Sequence, residues 1–287
     1  LQIESDPHVF YELSDQFTFE LPGAKFMPQD RKRYWDGKIR LFNINNGQIY
    51  VGLLDKIKKF CDDHGYSYSF VDNEYYGTPF EVNEHISYEG VKDYITSISK
   101  YAPREYQIEG VFDALRHNRR LLISPTASGK SLMIYSIVRY YVERGENTLI
   151  VVPTTSLVEQ MYKDFADYGW DVGSFCHKIY AGKERETDSQ VIITTWQSIY
   201  KLPRKYFERF SVVIGDEAHQ FKSKSLISIM TKLDHAKYRF GFTGTLDGTQ
   251  THKWVLEGLF GPSYKIVGTK DLMTKGHVAK LDINICL

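Results

Sequence analysis

After residue 100 the chain carries five short runs dominated by apolar side chains: Leu121-Leu122-Ile123, 148–152, Val191-Ile192-Ile193, Val212-Val213-Ile214 and 239–242. Runs of this length and composition predict strands buried on both faces, the pattern of a parallel sheet. The amphipathic stretch 132–144 between the first two predicts a crossover helix, and the β-α-β rhythm continues from there. Each apolar run gives way at once to small, polar or charged residues. In an open α/β sheet, ligands bind just beyond the carboxyl ends of the strands. The five polar segments are therefore expected to converge on one edge of one sheet.

The texture differs before residue 100, where segments are short and rich in aromatics. Ser5-Asp6-Pro7 reads as a cap followed by a first-turn proline, which predicts a helix to about residue 16. Runs 38–42 and 48–51 flank Asn45-Asn46-Gly47 and predict a hairpin. Leu53, Ile57 and Phe60 are spaced as one helical face, with Gly65 as the stop. Residues 66–71 predict a strand and 91–98 a helix. The expected organisation is a small α+β domain over 1–100 and an α/β domain over 101–287.

The 36 basic and 36 acidic residues cancel, which leaves nucleic acid open as a partner, since patches rather than totals bind phosphate. Cys61, Cys176 and Cys286 lie far apart, which argues against a disulfide framework or a zinc site and fits a reducing compartment. No apolar run approaches the roughly 20 residues that span a bilayer. The start, Leu1-Gln2-Ile3-Glu4, has neither Met nor the character of a signal peptide, so a trimmed end and a cytoplasmic location are expected.

Chemistry concentrates in Ser124-Pro-Thr-Ala-Ser-Gly129-Lys130-Ser131, between the first strand and its helix. Backbone N–H groups of such a loop, with the helix N-terminus, form an anion cradle. Lys130 would reach the β- and γ-phosphates of ATP, and the Ser131 hydroxyl would bind Mg²⁺. Ser124 stands where the general phosphate-loop pattern has glycine. A second segment, Asp216-Glu217-Ala218-His219, follows the fourth strand. A carboxylate there can hold Mg²⁺ opposite the loop, and its neighbour can deprotonate an attacking water.

Taken together, these motifs resemble superfamily 2 helicases. Asp-Glu-Ala-His is the motif II form of that family. Pro125 to Ser131 resembles motif I, with Ala127 in place of a glycine, so that the loop backbone is expected to be less free there. The cofactor-binding set would be Thr126, Ala127, Ser128, Gly129, Lys130 and Ser131, with Arg104, Tyr106 and Gln107 as an adenine-reading element. Gln107 could pair with an adenine edge; Tyr106 reads equally as frame or as core aromatic. Thr243-Gly244-Thr245 resembles motif III, with His219 coupling the ATP site to it. Thr154, Thr155 and Thr195 fall where family members touch the nucleic-acid backbone, while Trp196 reads as a core or loop anchor. The resemblance implies a RecA-like parallel sheet flanked by helices, ATP and Mg²⁺ as cofactors, and catalytic roles for Lys130, Asp216, Glu217 and His219.

From Lys25 to Arg40 six basic residues, among them Arg31, Lys32, Arg33 and Lys38, alternate with Phe26, Tyr34 and Trp35 against two acids. Composition alone reads as a solvated loop. The run 33–41, with Gly52-Leu53 after it, resembles the accessory domain of phage helicases of the UvsW type, which implies contact with branched or forked DNA. No motif IV, V or VI follows Thr245. The expectation is a chain that stops before a second motor domain and is nearly inactive alone. Competing expectations are an RNA helicase or restriction-type translocase subunit, and an ATP-gated DNA-binding module; Asp-Glu-Ala-His and Thr-Gly-Thr in order disfavour a small-molecule phosphate-loop kinase.

Overall fold

The computed structural model describes residues 1–20, 36–71, 82–181, 187–246, 250–268 and 274. Pro7–Gln16 forms α1, with Pro7 in the first turn as the sequence predicts. Thr18–Glu20 (β1) pairs antiparallel with Lys38–Arg40 (β2), and Phe42–Asn43 (β3) pairs with Gln48–Ile49 (β4) around the Asn-Asn-Gly turn. The predicted hairpin is thus shorter than the 38–42 run. That run breaks at Leu41, and its first half pairs with a strand the sequence did not announce. Leu54–His64 forms α2 and ends at Gly65 in the left-handed region, φ 71°.

Residues 66–71, predicted as a strand, form neither strand nor helix. Tyr68, Phe70 and Val71 are exposed, so no sheet face holds them. Tyr66 instead lies parallel to the His64 ring at 6.0 Å.

The longer helices that follow are Tyr88–Ile98 (α3), Glu105–His117 (α4), Lys130–Val142 (α5), Thr155–Asp167 (α6), Lys224–Lys232 (α7) and Gln250–Phe260 (α8). The strands Arg119–Ile123 (β5), Thr148–Val152 (β6), Cys176–Ile179 (β7), Val191–Thr195 (β8), Val212–Gly215 (β9), Tyr238–Thr243 (β10) and Ser263–Lys265 (β11) build one sheet, ordered β11-β5-β10-β9-β6-β8-β7. All its pairings are parallel. All five predicted strands are present. The sequence did not announce β7 and β11, which are short, half-exposed edge strands with no apolar run to mark them.

Strand residues alternate between two cores. Leu122, Ile150, Val152, Ile193 and Ile214 face the core that holds α3 to α6. Leu121, Leu149, Val151, Ile192 and Val213 face a second core, which they share with Leu13, Phe17, Phe42, Leu53 and Phe60 of the front part. Apolar burial is therefore continuous across this junction.

The junction turns on α8. A Cβ at Gly52 would lie 2.0 Å from the Glu257 carbonyl oxygen, and one at Gly258 would lie 2.9 Å from Tyr50 Cβ, so Gly52 lets the two backbones touch and Gly258 makes room for the Tyr50 side chain. Lys56 Nζ lies 2.9 Å from the buried Glu257 carboxylate and 4.9 Å above the Trp254 ring. Phe17 and Phe19 pack on the same indole at 5.4 and 5.0 Å. Among the described residues no helix is long and apolar enough to cross a membrane.

Candidate active site

The parallel strands carry four of the predicted segments, and the helix cap after β6 a fifth, to the same edge of the sheet, because each segment follows the carboxyl end of its strand. β10 lies between β5 and β9, so Thr243-Gly244-Thr245 stands between the phosphate loop and Asp216-Glu217. The Ser124 N–H donates to the Thr243 carbonyl at 2.9 Å. Gly244 lies so close to the loop that an added Cβ would be 3.7 Å from Thr126 Oγ1.

Within the loop, Ala127 adopts φ 65° and Gly129 φ 76°. Two residues in the left-handed region bend the chain so that successive N–H groups face one side, the geometry of an anion-binding nest. The buried Ser124 hydroxyl, at the position where a glycine is usual, donates to the buried Ser128 hydroxyl and closes the loop from within. Lys130 Nζ is 3.5 Å from the Ser124 carbonyl oxygen and 3.9 Å from Glu217 Oε1. Lys130 therefore bridges the loop and the acidic segment.

The elements expected to read adenine lie under the loop. Tyr106 and Gln107 are buried at 6% and 5% exposure. The Tyr106 hydroxyl and the Gln107 amide both donate to the Ser128 carbonyl, at 3.0 Å each. Gln107 Oε1 accepts the Arg104 N–H at 2.9 Å, and the Arg104 guanidinium donates to the Tyr106 hydroxyl at 2.7 Å. Gln107 is thus tied at both ends of its amide, and Tyr106 is at once core aromatic and loop brace.

Asp216 is 9% exposed. Burial pushes its carboxyl above the usual carboxylate range, and the Glu217 charge adds to this. Glu217 stands at φ 50°, a costly conformation for a residue with a Cβ. The turn places Glu217 Oε2 3.3 Å from His219 Nδ1, and the same nitrogen is 3.2 Å from Thr243 Oγ1. A continuous chain of contacts thus runs from Lys130 through Glu217 and His219 to Thr243, whose hydroxyl donates to the Thr245 carbonyl at 2.9 Å.

Thr154 and Thr155 are exposed at the start of α6, where Thr154 Oγ1 caps the helix by accepting the Leu157 N–H. Thr195 differs: it is 5% exposed and its hydroxyl is bonded to Ser198 Oγ. Trp196 is partly buried against the second core. Lys38 lies on β2. Arg31, Lys32, Arg33 and Trp35 lie outside the described residues. Sequence reasoning missed Tyr168, whose hydroxyl is 2.7 Å from Ser131 Oγ; a tyrosine at the end of a helix carries no motif that would mark it.

The profile of the family described as "Type III restriction enzyme, res subunit" matches residues 100–248, and that of "DNA helicase UvsW, N-terminal" matches residues 1–72. The chain is similar to the "ATP-dependent DNA helicase uvsW" of Enterobacteria phage T4, 35% identical over 295 residues that cover 99% of this chain and 57% of that protein. It is also similar to the "DNA 3'-5' translocase XPB2" of Sulfurisphaera tokodaii, 30% identical over 63% of this chain and 39% of the relative. The crystal structure of the UvsW helicase from bacteriophage T4 superimposes with a TM-score of 0.81 at 34% identity, covering 92% of this chain and 95% of that one. A second T4 UvsW structure gives 0.80 at 33%, covering 93% and 55%. The chain spans a little over half the length of its phage T4 relative.

Proposed function

The chain belongs to the UvsW family of DNA helicases, with a motor part of the type III restriction res-subunit family, and from that premise we propose that it is the ATP-hydrolysing part of a translocase acting on branched or forked DNA. The observation that carries the reading is the contact chain from Lys130 to Thr243. It joins a phosphate cradle, a carboxylate pair and the strand end that would sense the nucleotide. Residues 1–100 would serve as the accessory domain and 101–287 as the first RecA-like domain. The whole would work in the cytoplasm of a phage-infected cell.

The Ser131 hydroxyl and the Asp216 carboxylate suit Mg²⁺, a cation that prefers oxygen ligands. The fit is supported by Asp216 itself: a buried carboxyl held up by its environment and a neighbouring acid would be relieved by a cation. Bound there with ATP, Mg²⁺ would neutralise charge on the phosphate oxygens. Lys130 would hold the β- and γ-phosphates, and Glu217 would take a proton from water as its oxygen attacks the γ-phosphorus, with ADP leaving. Exposed Thr154 and Thr155 suit phosphate contacts that position a strand without reading it.

In motors of this kind a second RecA-like domain supplies the arginines that complete the site, so this chain alone is expected to bind nucleotide and turn it over slowly. Robust unwinding by the 287-residue chain would sink that expectation. The substrate is tested by fluorescence anisotropy with forked DNA, plain duplex and a matched RNA fork over a salt series. Forked DNA should bind best, and Arg31→Glu with Lys32→Glu and Arg33→Glu should remove most of the binding. Equal binding of RNA with no effect of the triple change would leave only a generic ATP-driven motor.

A further inference from the structure

Tyr168 closes α6 and is held from three sides. Its N–H donates to the Asp164 carbonyl at 2.9 Å, and its own carbonyl accepts the Lys100 N–H at 3.1 Å. Its ring packs on Tyr135 at 5.1 Å and on Tyr101 at 5.9 Å, nearly edge-on. Tyr135 lies one turn after Ser131 on α5 and is itself anchored through its hydroxyl to the Ile98 carbonyl at 2.7 Å. The phenol therefore has a fixed position, and its oxygen lies 2.7 Å from Ser131 Oγ.

The chemistry of a serine ligand gives this contact a purpose. A hydroxyl oxygen carries one proton and two lone pairs. It can face a cation with its lone pairs only if its proton points elsewhere and finds an acceptor. Serine also lacks the β-methyl that stiffens threonine at χ1, so its rotamer needs an outside hold. The Tyr168 oxygen meets both needs: it can accept the Ser131 proton, and it selects one side-chain well.

Resting on the nucleotide reading above, we infer that Tyr168 is a positioning residue for the cation site: it orients the Ser131 hydroxyl so that its lone pairs are available to Mg²⁺. It acts through Ser131 and need not touch nucleotide or metal.

The test measures binding of a fluorescent methylanthraniloyl-ADP to the full chain, in MgCl₂ and in excess EDTA, for wild type, Tyr168→Phe, and Tyr168→Phe with Ser131→Thr. Phenylalanine keeps the ring packing and removes only the oxygen. Tyr168→Phe should bind as wild type does in EDTA and lose about five-fold of the affinity gained with Mg²⁺, the effect of one hydrogen bond. The β-methyl of threonine restricts χ1 but accepts no proton, so it should restore part of that loss. Unchanged affinity in Mg²⁺, a tighter Mg²⁺ complex, an equal loss in both media or no recovery with threonine each overturn the role of Tyr168 while leaving nucleotide binding intact. If wild type binds the probe in neither medium, the nucleotide reading falls and the role of Tyr168 with it.

Discussion

Ala127 stands at φ 65° in the phosphate loop, where a side chain with a Cβ pays a steric cost that glycine does not. Ala127→Gly should therefore stabilise the fold by roughly 0.5–1 kcal/mol, the relief of strain less the added freedom of the unfolded chain. Urea unfolding would measure this, and a loss of stability would show that the loop is unstrained. Asp216 makes the opposite kind of demand. Its raised pKa means the native state holds this proton more tightly than the unfolded chain does. Its contribution to stability is thus fully present below the ordinary value of 3.8 and lost as pH rises through the folded value. Asp216→Asn should stabilise the protein at pH 7 and give no gain below pH 3.8, while ATP turnover is abolished. At this scale the sequence named residues of the candidate site that the structure brings together: Lys130, Glu217, His219 and Thr243 are linked by contacts. It could not show that Gln107 would be tied at both ends of its amide, or that Thr195 would be buried, because both depend on what packs beneath a loop.

Among the elements, long periodic segments were legible and short or solvent-facing ones were not. α1, α2 and the five central strands are marked by caps, stops and apolar runs. β1 and the 66–71 segment are not, since a three-residue strand depends on its partner and exposed aromatics imitate a strand. The junction on α8 was equally hidden, since its chemistry joins residues some 200 positions apart. Gly52→Ala would drive a Cβ into the Glu257 carbonyl and should cost about 2 kcal/mol through forced separation of the two backbones. Lys56→Met would leave the buried Glu257 carboxylate without its nearer cation, with Lys253 at 3.8 Å as the remaining one, and should also cost about 2 kcal/mol. Thermal unfolding would check both; an unshifted midpoint would contradict them.

Across the whole molecule, the fold class followed from the order of apolar runs because a parallel sheet buries each strand on both faces. Cys176, on edge strand β7, reports on the integrity of that sheet. Burial pushes its thiol up to about 12. Alkylation at pH 8 should leave it unmodified until the protein unfolds, and rapid native labelling would show that the β7 edge opens locally. The two glycines, the Lys56–Glu257 pair and the aromatic clasp on Trp254 have a kinematic consequence as well. α8 is the next element after the Thr-Gly-Thr strand, and the front part packs directly on it. A tilt imposed on α8 at the ATP-side edge would therefore press on the front part through these contacts, which would make it an outrigger of the engine and not a passenger on a tether.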